Sequence, residues 1–217
     1  MRNPSIQQFL EASTVTGIIR SYYFKQLNGD SALPDKYAYS PSGMIKAQTV
    51  PFYGVSAGVA FYTANSLGAN DVNTPGDTHL DALLVGKKDC LNVLGQAYLQ
   101  YQNPWLRMRV GDQVINIPWM NPSDAFIIPS TFQAVTAQVT PIHNVQIIGI
   151  RAFRFKSRIQ AGCHRYTLLN QNPIYPNMSD NMKGTLAFGV KAHWQSLKSA
   201  AWCCNIFFRD GHAAGCL

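Results

Sequence analysis

Cysteine and histidine are the residues of this chain that could support covalent chemistry. Cys163 directly precedes His164, and a thiol beside an imidazole is a common catalytic nucleophile. Successive side chains on a strand point to opposite faces, so these two neighbours are not expected to reach each other. We therefore predict that the chain is not an enzyme. The catalytic alternative is an enzyme that uses Cys163 or Cys203.

The remaining cysteines do not have the spacing of a metal site. The chain contains five cysteines, an odd number, and no Cys-x-x-Cys pair. The group Cys203, Cys204, His212 and Cys216 has gaps of one, eight and four residues, unlike the ligand spacing of a zinc finger. We predict reduced thiols, as in an intracellular protein, and neither a metal nor a cofactor.

Phosphate-binding and carboxylate chemistry are also poorly supported. The glycine-containing segment 54–58 lacks the lysine of a P-loop. Asp112 and Asp124 flank a predicted strand as single loop residues, and Glu11 is the one glutamate in the chain. A paired acid and base for hydrolysis is therefore not expected.

A basic strand is the strongest electrostatic feature. In the predicted strand 144–159, Phe153 and Phe155 alternate with Arg154 and Lys156, which places an aromatic face against a basic one. We expect the aromatic face to join the core. The basic face is a candidate contact for RNA phosphates or another subunit, with a solvated strand as the plainer alternative. The candidate residues are Arg151, Arg154, Lys156, Arg158 and Arg165.

The elements that carry these residues are predicted to be short strands, because β-branched and aromatic runs alternate with Gly, Pro and Asn. The predicted strands are 15–25, 44–52, 59–63, 91–101, 105–110, 113–117, 132–139, 144–159, 184–192 and 200–208. We expect the last two to form a hairpin. Short helices are predicted near 5–10 and 77–85, and exposed connections at 65–76 and 170–180.

Composition favours one all-β domain spanning residues 1–217. The chain is 47% hydrophobic and only 13% charged, below the usual quarter or so. We interpret the missing charge as surface covered by neighbouring molecules. The net charge of +7 favours an acidic partner, with nucleic acid first. Because no apolar run follows the first residues and none approaches 18 residues, neither a signal peptide nor a membrane span is predicted.

Several segments resemble jelly-roll capsid proteins of picornavirus-like viruses. Segment 114–122, which contains Ile117-Pro118-Trp119, is similar to a strand and its following turn in those proteins, as is 50–56. Segments 182–190 and 201–209 resemble their last two strands, and 5–24 resembles their first helix and strand. These matches cover about a third of the chain and occur in the expected order.

The resemblance implies an eight-stranded antiparallel jelly-roll sandwich with one or two short helices. It also implies a structural subunit of an icosahedral shell, found in the virion and in the host cytoplasm during assembly. Its partners would be other capsid subunits, packaged RNA and a host receptor. The non-viral alternative is a β-sandwich module that binds carbohydrate or another ligand. Its stacking platform would use Trp105, Trp119, Trp194 or Trp202.

Overall fold

The computed structural model describes residues 12–27, 29, 36–65, 67, 90–122, 128–157, 163, 182–194, 197–208 and 213–216. They form one antiparallel sheet of ten strands, in which each strand pairs with the strands before and after it in sequence. The strands are β1 (Thr14–Gln26), β2 (Lys36–Gln48), β3 (Val55–Asn65), β4 (Cys90–Gln102), β5 (Leu106–Gln113), β6 (Thr131–Ile142), β7 (Val145–Lys156), β8 (Met182–Trp194), β9 (Leu197–Phe208) and β10 (Ala213–Cys216). Within this part of the chain, no helix is long and apolar enough to cross a membrane.

The all-β prediction is confirmed, but the eight-stranded jelly roll is wrong. A jelly roll distributes its strands over two packed sheets and needs Greek-key crossovers. The observed order β1 to β10 contains no crossover, because every neighbour in the sheet is also a neighbour in sequence. The fold is therefore a meander, and a connection packed against one face of its sheet helps to bury side chains.

Most predicted strands coincide with observed ones, including the hairpin partners β8 and β9. The predicted strand 113–117 is wrong, because β5 ends at Gln113 and Ile117 forms only an isolated bridge to Met120. The segment 44–52 is a strand only as far as Gln48, and β10 was not predicted. The predicted helices near 5–10 and 77–85, and nearly all of the connections 65–76 and 170–180, lie outside the described residues.

The two ends of the sheet differ in the length of their connections. Consecutive antiparallel strands place alternate connections at the same end. At one end, which we call the short-connection end, the connections are 49–54, 103–105, 143–144 and 195–196. At the other, the long-connection end, strands are joined through 27–35, 66–89, 114–130, 157–181 and 209–212.

One face of the sheet, the inner face, carries the buried side chains. Near the long-connection end, Ile115, Ile117 and Met120 of the β5–β6 connection pack on it against Phe132 and residues of β7 to β9. A second cluster joins β3 and β4 to Ile128 of the same connection. The segment after β5 therefore folds back over the inner face instead of continuing the sheet.

Three aromatic rings on the inner face lie against a glycine of the adjacent strand. A Cβ atom at each of these glycines would come within 2.3–2.5 Å of the ring, so only glycine leaves room for it. Glycines at such positions let a sheet bend, and the ring covers the backbone that they expose. The pairs are Tyr98 with Gly58, Tyr62 with Gly95, and Trp202 with Gly189.

We expect Gly111→Ala to lower the free energy of unfolding by about 1–3 kcal/mol. Gly111 has a φ of +124°, and a Cβ atom there would lie 2.3 Å from the carbonyl oxygen of Ala97, which is backbone and cannot move aside. Gly149→Ala is the matched control, since its Cβ would meet only the Phe188 ring at 3.6 Å. Urea unfolding of both variants measures the difference, and equal losses of stability would contradict the strain argument.

Candidate functional site

The outer face of the sheet, opposite the buried clusters, is apolar from β1 to β9. Residues directly opposite on paired strands share a face, and the register joins Leu99 to Val110 and Val110 to Val135. The same holds across β7, β8 and β9, where Gly149 pairs with Phe188 and Phe188 with Cys203. The exposed members are Val15, Ile19, Ile45, Val55, Val59, Phe61, Leu94, Leu99, Met108, Val110, Ile147, Phe188 and Val190. An exposed apolar surface of this extent marks a site of contact with protein or lipid.

Exposed aromatic residues gather where this apolar surface meets the short-connection end. Phe52 and Tyr53 occupy the β2–β3 turn, Trp105 precedes β5, and Trp194 ends β8. Tyr101 lies near them at the end of β4. Tyrosine and tryptophan rings, which combine an apolar body with a polar tip, are typical of a boundary between apolar and aqueous surroundings.

The inner face, in contrast, is polar and cationic away from the buried clusters. On β4 and β5, Gln100 pairs with Arg109 and Gln102 pairs with Arg107. Both the Nε and Nη2 atoms of Arg109 donate to Oε1 of Gln100, at 3.2 and 2.7 Å. The Nε atom of Arg107 donates to Oε1 of Gln102 at 3.2 Å. Two guanidinium groups are thus held side by side on one strand by neutral acceptors.

Tyr98 also contacts Arg109, which forms a basic cluster with Arg107. Its ring lies 4.1 Å from the guanidinium carbon of Arg109, a cation–π distance, and its hydroxyl donates to Oε1 of Gln48 at 3.2 Å. With Gly58 beneath the ring, Tyr98 cannot easily change position. The guanidinium group of Arg109 is therefore held by the Tyr98 ring against its face and by Gln100 at its edge. Arg107 and Arg109 were not among the predicted basic residues, although their alternation with Met108 and Val110 was a usable signal.

The structure places two of the predicted basic residues, Arg151 and Arg154, on the outer face of β7, in the half of the strand nearer the long-connection end. Arg151 pairs with Val135 and Arg154 with Gln133, and the register shifts between these pairs. The extra residue of this bulge is Phe153, so the alternation restarts after it. Phe155 joins the core as predicted, whereas Phe153 is 43% exposed and lies 5.7 Å from the Arg151 guanidinium. Arg158 and Arg165 lie outside the described residues.

Lys156 differs from its basic neighbours because it is only 5% exposed. Its Nζ atom donates to the carbonyl oxygen of Leu94 at 2.6 Å. Leu94 belongs to β4, which is separated from β7 by two strands. Lys156 therefore ties together distant parts of the sheet and is not available as a simple surface contact. A role for Arg151 and Arg154 in contacting another subunit stays a prediction.

Cys163 lies beside this group, and its Sγ atom is 3.6 Å from Oδ1 of Asp112. Burial raises the pKa of the Cys163 thiol, and the Asp112 carboxylate raises it as well, while Lys156 and Arg154 lower it. A thiol whose pKa is raised is a poor nucleophile at neutral pH. Among the described residues, no group of three or more His, Cys, Asp or Glu side chains could hold a metal ion.

We expect Asp112→Asn to speed alkylation of Cys163 a few-fold at pH 8, because removing the carboxylate favours the thiolate. Arg154→Gln should slow the same reaction, because it removes a cation that stabilises the thiolate. Iodoacetamide labelling from pH 7 to 9, followed by mass spectrometry of the peptide that contains Cys163, measures both rates. A change in the same direction for the two variants would rule out the electrostatic explanation.

Comparison with known proteins identifies the fold. No protein-family model and no curated protein matches the chain. OccK9 (OpdG) of Pseudomonas aeruginosa is 13% identical with a TM-score of 0.69, covering 93% of this chain and 52% of that one. OccAB3 of Acinetobacter baumannii is 15% identical with a TM-score of 0.71, covering 88% and 48%. A BenF-like porin from Pseudomonas fluorescens is 14% identical with a TM-score of 0.68, covering 92% and 50%.

These likenesses correct the predictions that followed from the capsid resemblance. The similar structures include a bacterial outer membrane protein and a porin, which are not capsid proteins. The predicted capsid subunit, its viral partners and RNA, and its location in a virion or host cytoplasm are therefore wrong. The carbohydrate-binding sandwich is also wrong, and the prediction of no membrane span conflicts with the similar structures. The chain spans about half the length of these structures and shares the fold of that half.

Proposed function

We propose that the chain forms part of the wall of a water-filled channel in a bacterial outer membrane. The observation that carries this proposal is the division of the sheet into an apolar outer face and a polar inner face. Transmembrane barrels have this division, with lipid outside and water inside. A protein in water with a single sheet would bury its apolar face instead.

Strand length supports the same proposal. Nine of the ten strands contain between 8 and 13 residues. A tilted strand needs about 9–11 residues to cross the apolar part of a bilayer. Short connections at one end, long ones at the other and an aromatic border are further features of outer membrane barrels.

The channel would favour anions. In the described part of the chain, Asp112 is the one carboxylate, and it lies on the outer face at the long-connection end. The inner face carries Arg107 and Arg109, and Lys46 and Lys191 by register. A cavity lined by one sign of charge concentrates ions of the opposite sign. OpdK of Pseudomonas aeruginosa, which has the same fold, was solved with vanillate, an organic anion.

Passage of solutes through such a wall requires no catalytic residue, so we also propose that the chain is not an enzyme. The low charge of the sequence, first interpreted as contact with neighbouring subunits, is explained here by contact with lipid. The edges of the sheet at β1 and β10 would be paired in the complete barrel, because unpaired backbone groups are costly in lipid.

Planar-bilayer recording of the full-length protein tests the proposal. We expect stepwise conductance and, across a KCl gradient, a reversal potential of the sign produced by anion preference. Protein that is folded by far-ultraviolet circular dichroism and inserted in the bilayer, yet conducts no ions, would refute the channel. Stepwise conductance with cation preference would refute the assignment of the inner face.

A further inference from the structure

A second cationic feature lies on the inner face, away from the Arg107 and Arg109 cluster. A cavity of about 510 Å³ opens at the short-connection end, between β7, β8 and β9. Its charged and hydrogen-bonding lining includes Gln146, Lys191, His193 and Lys198, with His143 from the β6–β7 turn. A cavity of this volume is large enough for a small organic or inorganic ligand.

The strand register places these donors on one side. Gln146 pairs with Lys191 across β7 and β8, and His193 pairs with Lys198 across β8 and β9. Because alternate residues of a strand share a face, Lys191 and His193 both belong to the inner face with Gly189. The four side chains therefore project from three neighbouring strands into the same space.

The surrounding structure limits the freedom of this lining. The backbone N–H of His193 donates to the carbonyl oxygen of Asn144 at 2.9 Å, which ties the β6–β7 turn to β8. The Nζ atom of Lys191 lies 5.4 Å from the centre of the Trp202 ring, close enough for a cation–π contact. The Trp202 ring itself lies against Gly189, where a Cβ atom would come within 2.3 Å of it.

The polar side chains that line the cavity can donate hydrogen bonds, and two of them are positively charged. Lys191 and Lys198 are cationic, the two imidazoles can donate, and no carboxylate is among the described residues that line the cavity. Asp112, the single carboxylate of the described residues, is at the opposite end of the sheet. Two ammonium groups that line one cavity repel each other, and a bound anion would relieve that repulsion.

We propose that this cavity binds a small polyvalent oxyanion. Two ammonium groups and flanking imidazole and amide donors suit several oxygen atoms that share more than one negative charge. Inorganic phosphate and tricarboxylates such as citrate both have this chemistry. The site does not depend on the chain being a channel, since binding can be measured on protein in detergent.

Isothermal titration calorimetry of the full chain in non-ionic detergent, at pH 7.5 and constant ionic strength, tests the site. We expect saturable binding of phosphate, of citrate or of both, with a dissociation constant below about 1 mM. Binding of phosphate alone identifies a phosphate site, and binding of citrate alone identifies a polycarboxylate site. A dissociation constant above about 1 mM for both anions, or no saturable heat, would overturn the proposal.

Lys198→Gln should weaken binding about tenfold, because it removes one charge-assisted hydrogen bond. Lys191→Gln provides a second variant in case the first does not fold, as judged by circular dichroism. The matched control is Lys46→Gln, which removes an inner-face lysine of β2 that does not line the cavity. Equal weakening by the control would mean that the anion responds only to net charge, and the cavity would not be the site. Conductance measured separately distinguishes failure of this site from failure of the channel.

Discussion

Ala137→Arg should destabilise the protein in lipid vesicles by about 2–4 kcal/mol, the cost of an arginine on the lipid face of a barrel at mid-membrane. Ala137 lies on the outer face of β6, paired with Met108 on one side and Gly149 on the other. Its side chain is small, so the substitution adds a charge while removing almost no packing. Unfolding in guanidinium chloride from preformed vesicles measures the loss.

Gln138→Arg is the matched control, one residue further along the same strand. Gln138 pairs with Arg107 and so lies on the inner face, where water can solvate an added guanidinium. We expect a change of less than about 1 kcal/mol there, since repulsion between solvated charges is modest. If Ala137→Arg were as mild as an ordinary surface substitution, about 0.5 kcal/mol, the outer face would not contact lipid.

The positions of the strands could be predicted because the alternation of their residues is strong. Which face of each strand is buried and which is exposed could not be predicted in the same way. In β5, Arg107 and Arg109 alternate with Met108 and Val110, and this period of two identifies a strand. The same alternation describes a sandwich with its apolar face inward and a barrel with its apolar face outward. Burial resolves the ambiguity, since Gln100 is 5% exposed while Leu99 is 61% exposed.

Strand order was also beyond the reach of local patterns. The Ile117-Pro118-Trp119 segment was interpreted as a strand and turn of a jelly roll, whereas Ile117 and Met120 enclose a tight turn that packs on the inner face. Proline cannot donate a ladder hydrogen bond, which is consistent with the strand ending earlier, at Gln113. The Gln113 side chain instead donates to the carbonyl oxygen of Ala134 at 2.9 Å.

Arg151 and Arg154 do share a face as predicted, but the cause is a β-bulge that the alternation of residues in the sequence does not reveal. Strict alternation from Phe155 would place Arg151 with the aromatic residues, on the core side. The bulge at Phe153 restores Arg151 to the face of Arg154, and a bulge has no dependable sequence signal. The cation–π contact of Tyr98 with Arg109 depends likewise on two strands meeting in one register, which no single segment encodes.

Removing the charges of Arg107 and Arg109 together should lower the preference for anions several-fold, towards equal permeability. The glutamine substitutions Arg107→Gln and Arg109→Gln keep polar side chains at the wall but remove two fixed positive charges from the inner face. Because these charges attract anions and repel cations in a confined space, their loss changes the selectivity more than the conductance. The reversal potential across a KCl gradient measures the change.

Arg154→Gln is the control for the loss of charge, since Arg154 is exposed on the outer face at the long-connection end. It should leave the reversal potential nearly unchanged. Tyr98→Leu tests positioning, because it keeps the charge of Arg109 but removes the ring 4.1 Å beneath its guanidinium. A partial loss of anion preference in Tyr98→Leu, between the wild type and the double variant, is the expected result. An equal shift in Arg154→Gln would mean that overall charge, rather than the fixed guanidinium groups of the wall, determines which ions pass.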